Sequence, residues 1–182
     1  MPSPLAHAAV GYALLRAWQN ALPVEGRVWR IPLSFVWPVL AVFLSLLPDV
    51  DAVVGWLGNS LERYHNNLTH SLLMVFVVPL PFGLLLRRLT GVRLKTGVLL
   101  SAACYAVHLL MDLVTYGRGL MLFWPLSQRR FRLPVTLFLG VPWSSPWSSP
   151  LYFWMLLNEV LFVSALFIFI AAVRRLRNRQ MV

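Results

Sequence analysis

The sequence predicts an all-α membrane protein: a polytopic bundle of four to five hydrophobic helices, with a long loop between the last two. Hydrophobic residues make up 59% of the 182-residue chain, and charged residues make up only 12%. A soluble domain carries about 25% charged residues. The mean hydropathy of +0.70 agrees with a chain that has too little polar surface for water. We expect residues 1–182 to form a single membrane-embedded domain.

Apolar segments of about 20 residues, the length that crosses a bilayer, define the predicted helices. The first, at about residues 4–22, is the weakest because His7 and Arg16 interrupt it. Either it spans the membrane or it lies on the surface, which leaves five or four spans. The other segments are expected at about residues 31–48, 69–86, 95–116 and 150–173.

A long connection, residues 117–149, joins the fourth and fifth segments. It includes most of a tandem Trp-Ser-Ser-Pro repeat at residues 143–150. Tryptophan favours the headgroup layer of a membrane, and proline breaks helices. A loop of this length in a compact protein is often functional, and a short interfacial helix within it is one option.

The basic residues indicate the orientation. If the chain alternates sides, eleven of the sixteen Lys and Arg residues fall on one side of the membrane, and these include the four arginines of the basic tail at 174–182. That side is predicted to face the cytoplasm of a bacterial inner membrane. The net charge of +10 does not predict nucleic-acid binding, because the basic residues flank apolar runs and form no long stripe. The remaining five are Arg63, Arg118, Arg129, Arg130 and Arg132.

The residues able to bind a metal ion are few, and they gather near one membrane face. The chain has four histidines and three aspartates. On five alternating spans, all seven fall near the outer ends of the helices. If the first segment does not span, His7 begins on the cytoplasmic side instead. The seven residues are His7, Asp49, Asp51, His65, His70, His108 and Asp112.

The fourth segment holds His108 and Asp112, which share one helix face because they are four residues apart, with Cβ atoms about 5–6 Å from each other. This spacing suits two ligands of one metal ion, or a ligand and the carboxylate that orients it. Ionisable groups in an apolar segment usually face a cavity or a partner. The structural alternative is a buried hydrogen bond between the two side chains.

Asp49 and Asp51 follow Pro48 at the end of the second segment. In an extended turn, residues two apart point the same way, so both carboxylates would reach one ion. The alternative is that either aspartate caps a following helix.

His65 and His70 precede and open the third segment. Thr69 is a candidate N-cap, which places His70 in the first helical turn. A histidine there is either interfacial or a ligand. Glu159, inside the fifth segment at a depth similar to His108, is a further candidate ligand, although an outer arginine would explain it as well.

Imidazole and carboxylate ligands without thiolate fit zinc, and also manganese or iron. The candidates outnumber the ligands of one tetrahedral ion, so more than one ion is compatible with them. Paired ions activate water and stabilise both oxygens in phosphoester hydrolysis. The candidate catalytic residues are Asp51, His108 and Asp112.

Arginines on the same side are candidate substrate ligands. Arg118, Arg129 and Arg130 run against the positive-inside bias, and arginine binds phosphate bidentately. Contact with anionic lipid headgroups is the alternative.

Several short motifs follow one another on these segments. Together they resemble the YdjM-like family of membrane-bound, metal-dependent hydrolases over about residues 5–127. This family is similar to the zinc-dependent phospholipase C and single-strand nuclease group, so the resemblance implies phosphoester hydrolysis by analogy. Asn66-Asn67 stands where the family often has arginine or glycine. The motifs are His7 with Gly11, Leu47–Asp51, His65 with Thr69–Ser71, His108–Asp112 and Phe123–Leu126.

We therefore expect a hydrolase at the outer membrane face that attacks a phosphoester, a lipid being one option, with metal-activated water. One alternative is a metal-ion transporter, since intramembrane His and Asp often mark ion pathways. The few polar groups in the cytoplasmic halves of the helices disfavour it. The other alternative is a non-enzymatic membrane scaffold with a structural polar cluster.

Overall fold

The computed structural model describes residues 1–23, 25–58 and 65–179, so Arg63 and the last three residues of the basic tail lie outside the described residues. It confirms the helical membrane fold. Four helical segments of the described chain are long and apolar enough to cross a membrane. They are Leu33–Leu57, Leu72–Thr90, Leu94–Leu113 and Pro150–Leu176.

The helices follow the predicted segments closely. Short 3-10 turns at Gln19–Ala21, Leu47–Asp49 and Leu68–His70 connect some of them. A small antiparallel hairpin, β1 (Arg27–Val28) with β2 (Ile31–Pro32), precedes α2. The helices are α1 (Pro4–Trp18), α2 (Leu33–Leu46), α3 (Val50–Leu57), α4 (Leu72–Val77), α5 (Pro79–Thr90), α6 (Leu94–Leu113) and α7 (Pro150–Arg179).

The first predicted segment forms α1, which belongs to the bundle. Its 15 residues make it shorter than the segment expected at 4–22, and it is not among the four candidate spans. It packs along α2 and also contacts α6 and α7. Its buried face includes Ala6, Val10, Ala13 and Leu15, which are less than a tenth exposed. The apolar residues of the weakest segment therefore pack against the other helices.

The connections place the helix ends that carry His and Asp together. Arg174, near the end of α7, donates to the carbonyl of Arg16 near the end of α1, so these two helices run side by side in the same direction. The basic residues at the starts and ends of the helices lie at the opposite end from the His and Asp residues. The latter are at the start of α1 (His7), after α2 (Asp49), before α4 (His70) and in the last turn of α6 (Asp112).

The long loop is irregular, but backbone bonds hold it in place. Residues 114–149 are all described and contain turns and isolated bridges but no helix, so the interfacial helix considered for this loop is not formed. Bridges join Thr115 to Phe138 and Leu120 to Phe131. Asn158 of α7 bonds the backbone on both sides of Phe138. The loop is thereby fastened both to the end of α6 and to α7.

Candidate metal site

Two groups of His and Asp side chains meet at one end of the bundle. Within each group, one ligand atom from every residue lies within 4.8 Å of those of the other members. All the histidines and aspartates of the chain belong to one group or the other. The Asp49 group contains Asp49, Asp51, His65 and His70, and the His7 group contains His7, His108 and Asp112.

A tight turn between α2 and α3 positions the two aspartates of the first group. Pro48 lies in the 3-10 turn Leu47–Asp49, and α3 begins at Val50. The extended turn that we predicted for Asp49 and Asp51 is therefore wrong. Asp49 occupies the N-cap position of α3 but makes no capping hydrogen bond. Its carboxylate instead faces histidines from other helices.

The predicted N-cap at Thr69 is also wrong. Residues Leu68–His70 form a 3-10 turn, and Ser71 occupies the N-cap position of α4. The Thr69 hydroxyl donates to Asp51 Oδ2 at 2.5 Å. Tyr105 of α6 donates to the Thr69 carbonyl at 2.5 Å, which ties this turn to the bundle.

Asp51 has donors on both of its oxygens. Its Oδ1 lies 2.6 Å from His65 Nδ1, and its Oδ2 lies 3.1 Å from both His70 Nδ1 and the backbone nitrogen of Asn66. A carboxylate that binds imidazole Nδ1–H sets the tautomer and leaves Nε2 unprotonated for a metal ion. Asp51 is therefore placed to orient His70 so that its Nε2 faces the other group.

His108 is oriented by a backbone carbonyl in the same way. Its Nδ1 donates to the carbonyl of Ser45 in α2 at 2.6 Å, so Nε2 is the nitrogen available to a metal ion. The approach of α1 to α2 at this level requires Gly11, because a Cβ there would lie 2.2 Å from Ser45 Oγ. The His7 ring from α1 stacks on the His108 ring at a centroid distance of 3.8 Å.

Four ligand atoms from separate parts of the chain form a compact arrangement. His70 Nε2 lies 3.2 Å from His108 Nε2. Each of these nitrogens lies 3.3 Å from Asp112 Oδ2 and 3.5 Å from Asp49 Oδ1. A tetrahedral zinc ion with bonds of about 2.0–2.1 Å separates its ligand atoms by about 3.3–3.4 Å. These five separations therefore match five of the six edges of a zinc-sized tetrahedron.

The same carboxylates have unsatisfied oxygens. Among the described residues, neither oxygen of Asp49 or Asp112 has a hydrogen-bond partner, and neither ring nitrogen of His7 has one. A buried polar group left unpaired costs about 1–3 kcal/mol, and a charged one costs more. His7 Nε2 lies 3.5 Å from Asp112 Oδ1, so it borders the same space. The donor set and the unpaired atoms both fit a divalent cation.

The electrostatics at His70 point the same way. Burial alone would lower the pKa of His70, but the carboxylates of Asp112, Asp49 and Asp51 outweigh burial and raise that pKa well above its ordinary value. The carboxylates thus favour the positively charged form of this ring. The site attracts positive charge, as a proton or as a cation.

Glu159 lies outside both groups. Its carboxylate accepts hydrogen bonds from the backbone nitrogen of Ser3 at 2.6 Å and from the Ser3 hydroxyl at 2.5 Å. Ser3 in turn is the N-cap of α1, where its side chain accepts from the Ala6 nitrogen. The structure thus supplies a role that the sequence did not suggest, because Glu159 fastens the start of α1 to α7.

The three predicted substrate arginines have different surroundings. Arg118 Nη2 donates to the carbonyl of His65 at 3.0 Å, and Arg118 lines a cavity beside the site. Arg130 bonds the Gly119 carbonyl at 3.0 Å and the Asn67 side chain at 2.9 Å, so it braces the turn after His65. Arg129 lies over the Phe131 ring. Neither Arg129 nor Arg130 lines that cavity.

The cavity has a volume of about 700 Å³ and reaches from the metal-site residues to the start of α7. His65, Asn66 and Asp112 line its polar part, together with Arg118. Its remaining wall is largely apolar and comes from Met1, the segment 115–120, Thr136, residues 139–145 and the first turns of α7. A site with metal-binding residues and an arginine at one side of such a cavity has room for an anionic organic molecule.

The family described as YdjM inner membrane protein matches residues 1–181. The chain belongs to the YdjM family. This YdjM protein is 29% identical, over 167 residues, to "Inner membrane protein YbcI" of Escherichia coli (strain K12). The match covers 90% of this chain and 91% of YbcI. No solved structure matches it.

Family membership and the four candidate spans show that this YdjM protein is an integral membrane protein. The names of the family and of its relative YbcI both indicate the inner membrane. The family resemblance found in the sequence is confirmed. The metal site and the hydrolase activity stay predictions, which the geometry above supports.

Some residues of the site were not found by sequence reasoning. Ser45 acts through its backbone carbonyl, and Asn66 through its backbone nitrogen, so neither has a side-chain signature. Ser3 was missed because its partner Glu159 is distant in the chain. Gly11, a small residue four positions after His7 on an apolar helix, is a sequence feature that could have indicated the close approach of α1 to Ser45.

Proposed function

We propose that this YdjM protein is a membrane-bound, metal-dependent hydrolase that acts on a phosphoester. The observation that carries the proposal is that Nε2 of His70 and Nε2 of His108 lie 3.2–3.5 Å from each other and from one oxygen each of Asp49 and Asp112. Structural hydrogen bonds alone would not leave both carboxylates without donors. Zinc is the expected ion, and manganese or iron would accept the same ligands.

The residues of the candidate site have two roles: some would bind the metal ion, and others orient the side chains that bind it. Asp49, His70, His108 and Asp112 would hold an ion, and His7, whose ring nitrogens have no hydrogen-bond partner among the described residues, is placed to add a ligand. Both ring nitrogens of His65 have partners, Asp51 Oδ1 and Met1 Sδ, so His65 holds Asp51 in place. A bound divalent ion lowers the pKa of water and stabilises charge on a phosphoryl oxygen. Asp51 binds Nδ1 of His70 and the Ser45 carbonyl binds Nδ1 of His108, so Nε2 of each ring faces the other ligand atoms.

The charge distribution supports a site at the outer face. The basic residues at the far end of the bundle are the larger group, so that end would face the cytoplasm and include the C-terminus. The His and Asp residues then lie near the opposite surface. A phosphoester would reach them from outside the cell membrane or from its outer leaflet.

Metal analysis joined to an activity assay tests the proposal. The purified full chain should contain about one or two zinc ions per molecule. It should hydrolyse bis(p-nitrophenyl) phosphate or p-nitrophenyl phosphate, lose this activity with a chelator and regain it with zinc. His108→Ala should abolish both metal and activity, whereas Ser101→Ala, a buried change on the same helix, should preserve them.

Two results would count against the proposal. One is a purified protein with little zinc, manganese or iron, whose metal content does not change in His108→Ala. The other is uptake of metal ions into proteoliposomes without any phosphoester hydrolysis, which would favour a transporter.

A further inference from the structure

We propose that the cavity beside the metal site binds a membrane lipid through its phosphate ester, with the hydrocarbon chain lying against residues 139–143 and the first turns of α7. This inference rests on the proposed hydrolase function and specifies its substrate class. It follows from how polar and apolar side chains are divided around the cavity, from where the cavity meets the surface, and from its size.

The polar part suits a phosphate group. Arg118 lines the cavity, and its bond to the His65 carbonyl holds the guanidinium next to the metal-site residues. Arginine favours phosphate because its planar group donates two parallel hydrogen bonds. An anion at this position would also face the ion held by residues such as Asp112, another lining residue.

Asn66 adds a second polar contact. It lines the cavity, it is 8% exposed, and its Oδ1 has no hydrogen-bond partner among the described residues. Its backbone is fixed at φ 64°, in the left-handed region, with its nitrogen bonded to Asp51. A buried carboxamide with an unused acceptor suits a hydroxyl of a glycerol-like headgroup.

The apolar part does not suit a water-soluble phosphoester. Leu139, Val141 and Trp143 line it from the loop, and Leu151 and Trp154 line it from α7. A small polar substrate would leave this wall in contact with water, whereas a hydrocarbon chain would cover it and gain about 25 cal/mol for each Å² of apolar surface buried. The wall therefore selects a substrate with both a phosphate and a chain.

The cavity also meets the surface that faces lipid. Leu151 and Trp154, on the membrane-spanning helix α7, are 53% and 54% exposed although they line the cavity. Trp143 is 57% exposed, and tryptophan is the residue type favoured at the membrane interface. A lipid can thus enter sideways from the bilayer without leaving it.

The volume agrees with this assignment. Ligand cavities commonly measure about 300–1,000 Å³, and 700 Å³ holds a headgroup with the first part of its chain. Hydrolysis of such an ester forms a P–O bond from water and breaks the P–O bond to the lipid alcohol. One proton of the water goes to the leaving oxygen and the other stays with the phosphate, so the products are the lipid alcohol and phosphate.

Photo-crosslinking tests binding independently of activity. The zinc-loaded full chain in detergent would be labelled with lysophosphatidic acid that carries a diazirine in its chain, and separately with a monoacylglycerol that carries the same chain. The phosphate probe should label residues 139–154 in preference to other lipid-exposed positions, and Arg118→Gln and Arg118→Lys should reduce that labelling about tenfold. Identical labelling by both probes, spread along the spanning helices, would overturn the assignment.

An activity comparison separates this inference from the proposed function. Phosphatidic acid and glycerol 3-phosphate present the same ester with and without chains. Trp154→Ala and Leu151→Ala should each lower kcat/KM for phosphatidic acid about tenfold and leave that for glycerol 3-phosphate unchanged. Phe169→Ala, an exposed change on α7 that does not line the cavity, is the matched control.

A wrong lipid assignment and a wrong proposed function would give different results. If both substrates are cleaved equally and Trp154→Ala and Leu151→Ala affect both alike, the lipid assignment is wrong and the hydrolase remains. If no phosphoester is cleaved at all, the proposed function is wrong, and with it the lipid as substrate.

Discussion

The Nε2 atoms of His70 and His108 lie 3.2 Å apart, although 38 residues separate the two histidines in the chain. Each ring is bonded at Nδ1, one by Asp51 and the other by the Ser45 carbonyl. Two imidazole nitrogens that both lack a proton would repel each other at this distance. A shared cation between them, or a proton on one of them, removes that repulsion.

Removing either of these histidines should abolish high-affinity zinc binding. We expect His70→Ala and His108→Ala each to weaken zinc binding by more than about 100-fold, which exceeds the usual loss for an orienting residue. Competition with a fluorescent zinc chelator measures the affinity. Ser101→Ala is the control, and an unchanged affinity in either histidine variant would show that the two rings do not share an ion.

Asp51 should behave as an orienting residue and Asp49 as a ligand. Asp51→Asn leaves His70 without its carboxylate partner and should weaken zinc binding about 10–100-fold. Asp49→Ala removes a carboxylate that lies 3.5 Å from both Nε2 atoms and should cause a larger loss. The same competition assay ranks the two variants, and a larger loss for Asp51→Asn would reverse the assignment.

Gly11→Ala should disturb the metal site from a distance. The added Cβ would lie 2.2 Å from Ser45 Oγ and 2.6 Å from Ser45 Cβ, so α1 and α2 must separate. Overpacking of this kind costs about 1–3 kcal/mol. It would also move the carbonyl that holds His108. The temperature of thermal unfolding in detergent and the zinc content should both fall.

A second change at the same contact supplies the control. Ser45→Gly removes the two atoms that clash and keeps the backbone carbonyl, so the double variant should regain stability and zinc. A double variant as impaired as Gly11→Ala would show that the close approach of these helices is not the cause.

Glu159 should matter for stability and not for metal content. Glu159→Gln replaces an acceptor of two hydrogen bonds from Ser3 and should lower the free energy of unfolding by about 1.5–3 kcal/mol. Because Ser3 and Glu159 share these bonds, the losses in Ser3→Ala and Glu159→Gln should not add in the double variant. A drop in zinc content in Glu159→Gln would instead support the ligand role that the sequence suggested.

Labelling of introduced cysteines measures the orientation of the protein in the membrane. Cys104, the native cysteine, is buried, so it gives little background. Leu126→Cys, at a position 93% exposed in the loop near the site, should react with an impermeant maleimide on intact spheroplasts. Glu25→Cys, exposed at the basic end, should react only after the membrane is opened. The opposite pattern would place the site at the cytoplasmic face.

The sequence by itself determined the helical membrane fold, the approximate position of each span and the types of ligand available. These properties are local, since hydropathy over about 20 residues defines a span. The sequence also placed the His and Asp residues at helix ends on one side of the bundle, because alternating helices bring every second connection to the same side. His108 and Asp112 could be paired in advance, since one helical turn separates them.

The tertiary structure decided what each of those residues contacts. Asp49 and Asp51 are two residues apart and chemically identical, yet Asp51 receives donors on both oxygens and Asp49 receives none among the described residues. The depth of Glu159 allowed either a pocket shared with His108 or an arginine partner, but its carboxylate binds Ser3 instead. Such roles depend on how helices approach and on backbone groups such as the Ser45 carbonyl. Every residue has a carbonyl, so residue type cannot reveal which one will hold a histidine.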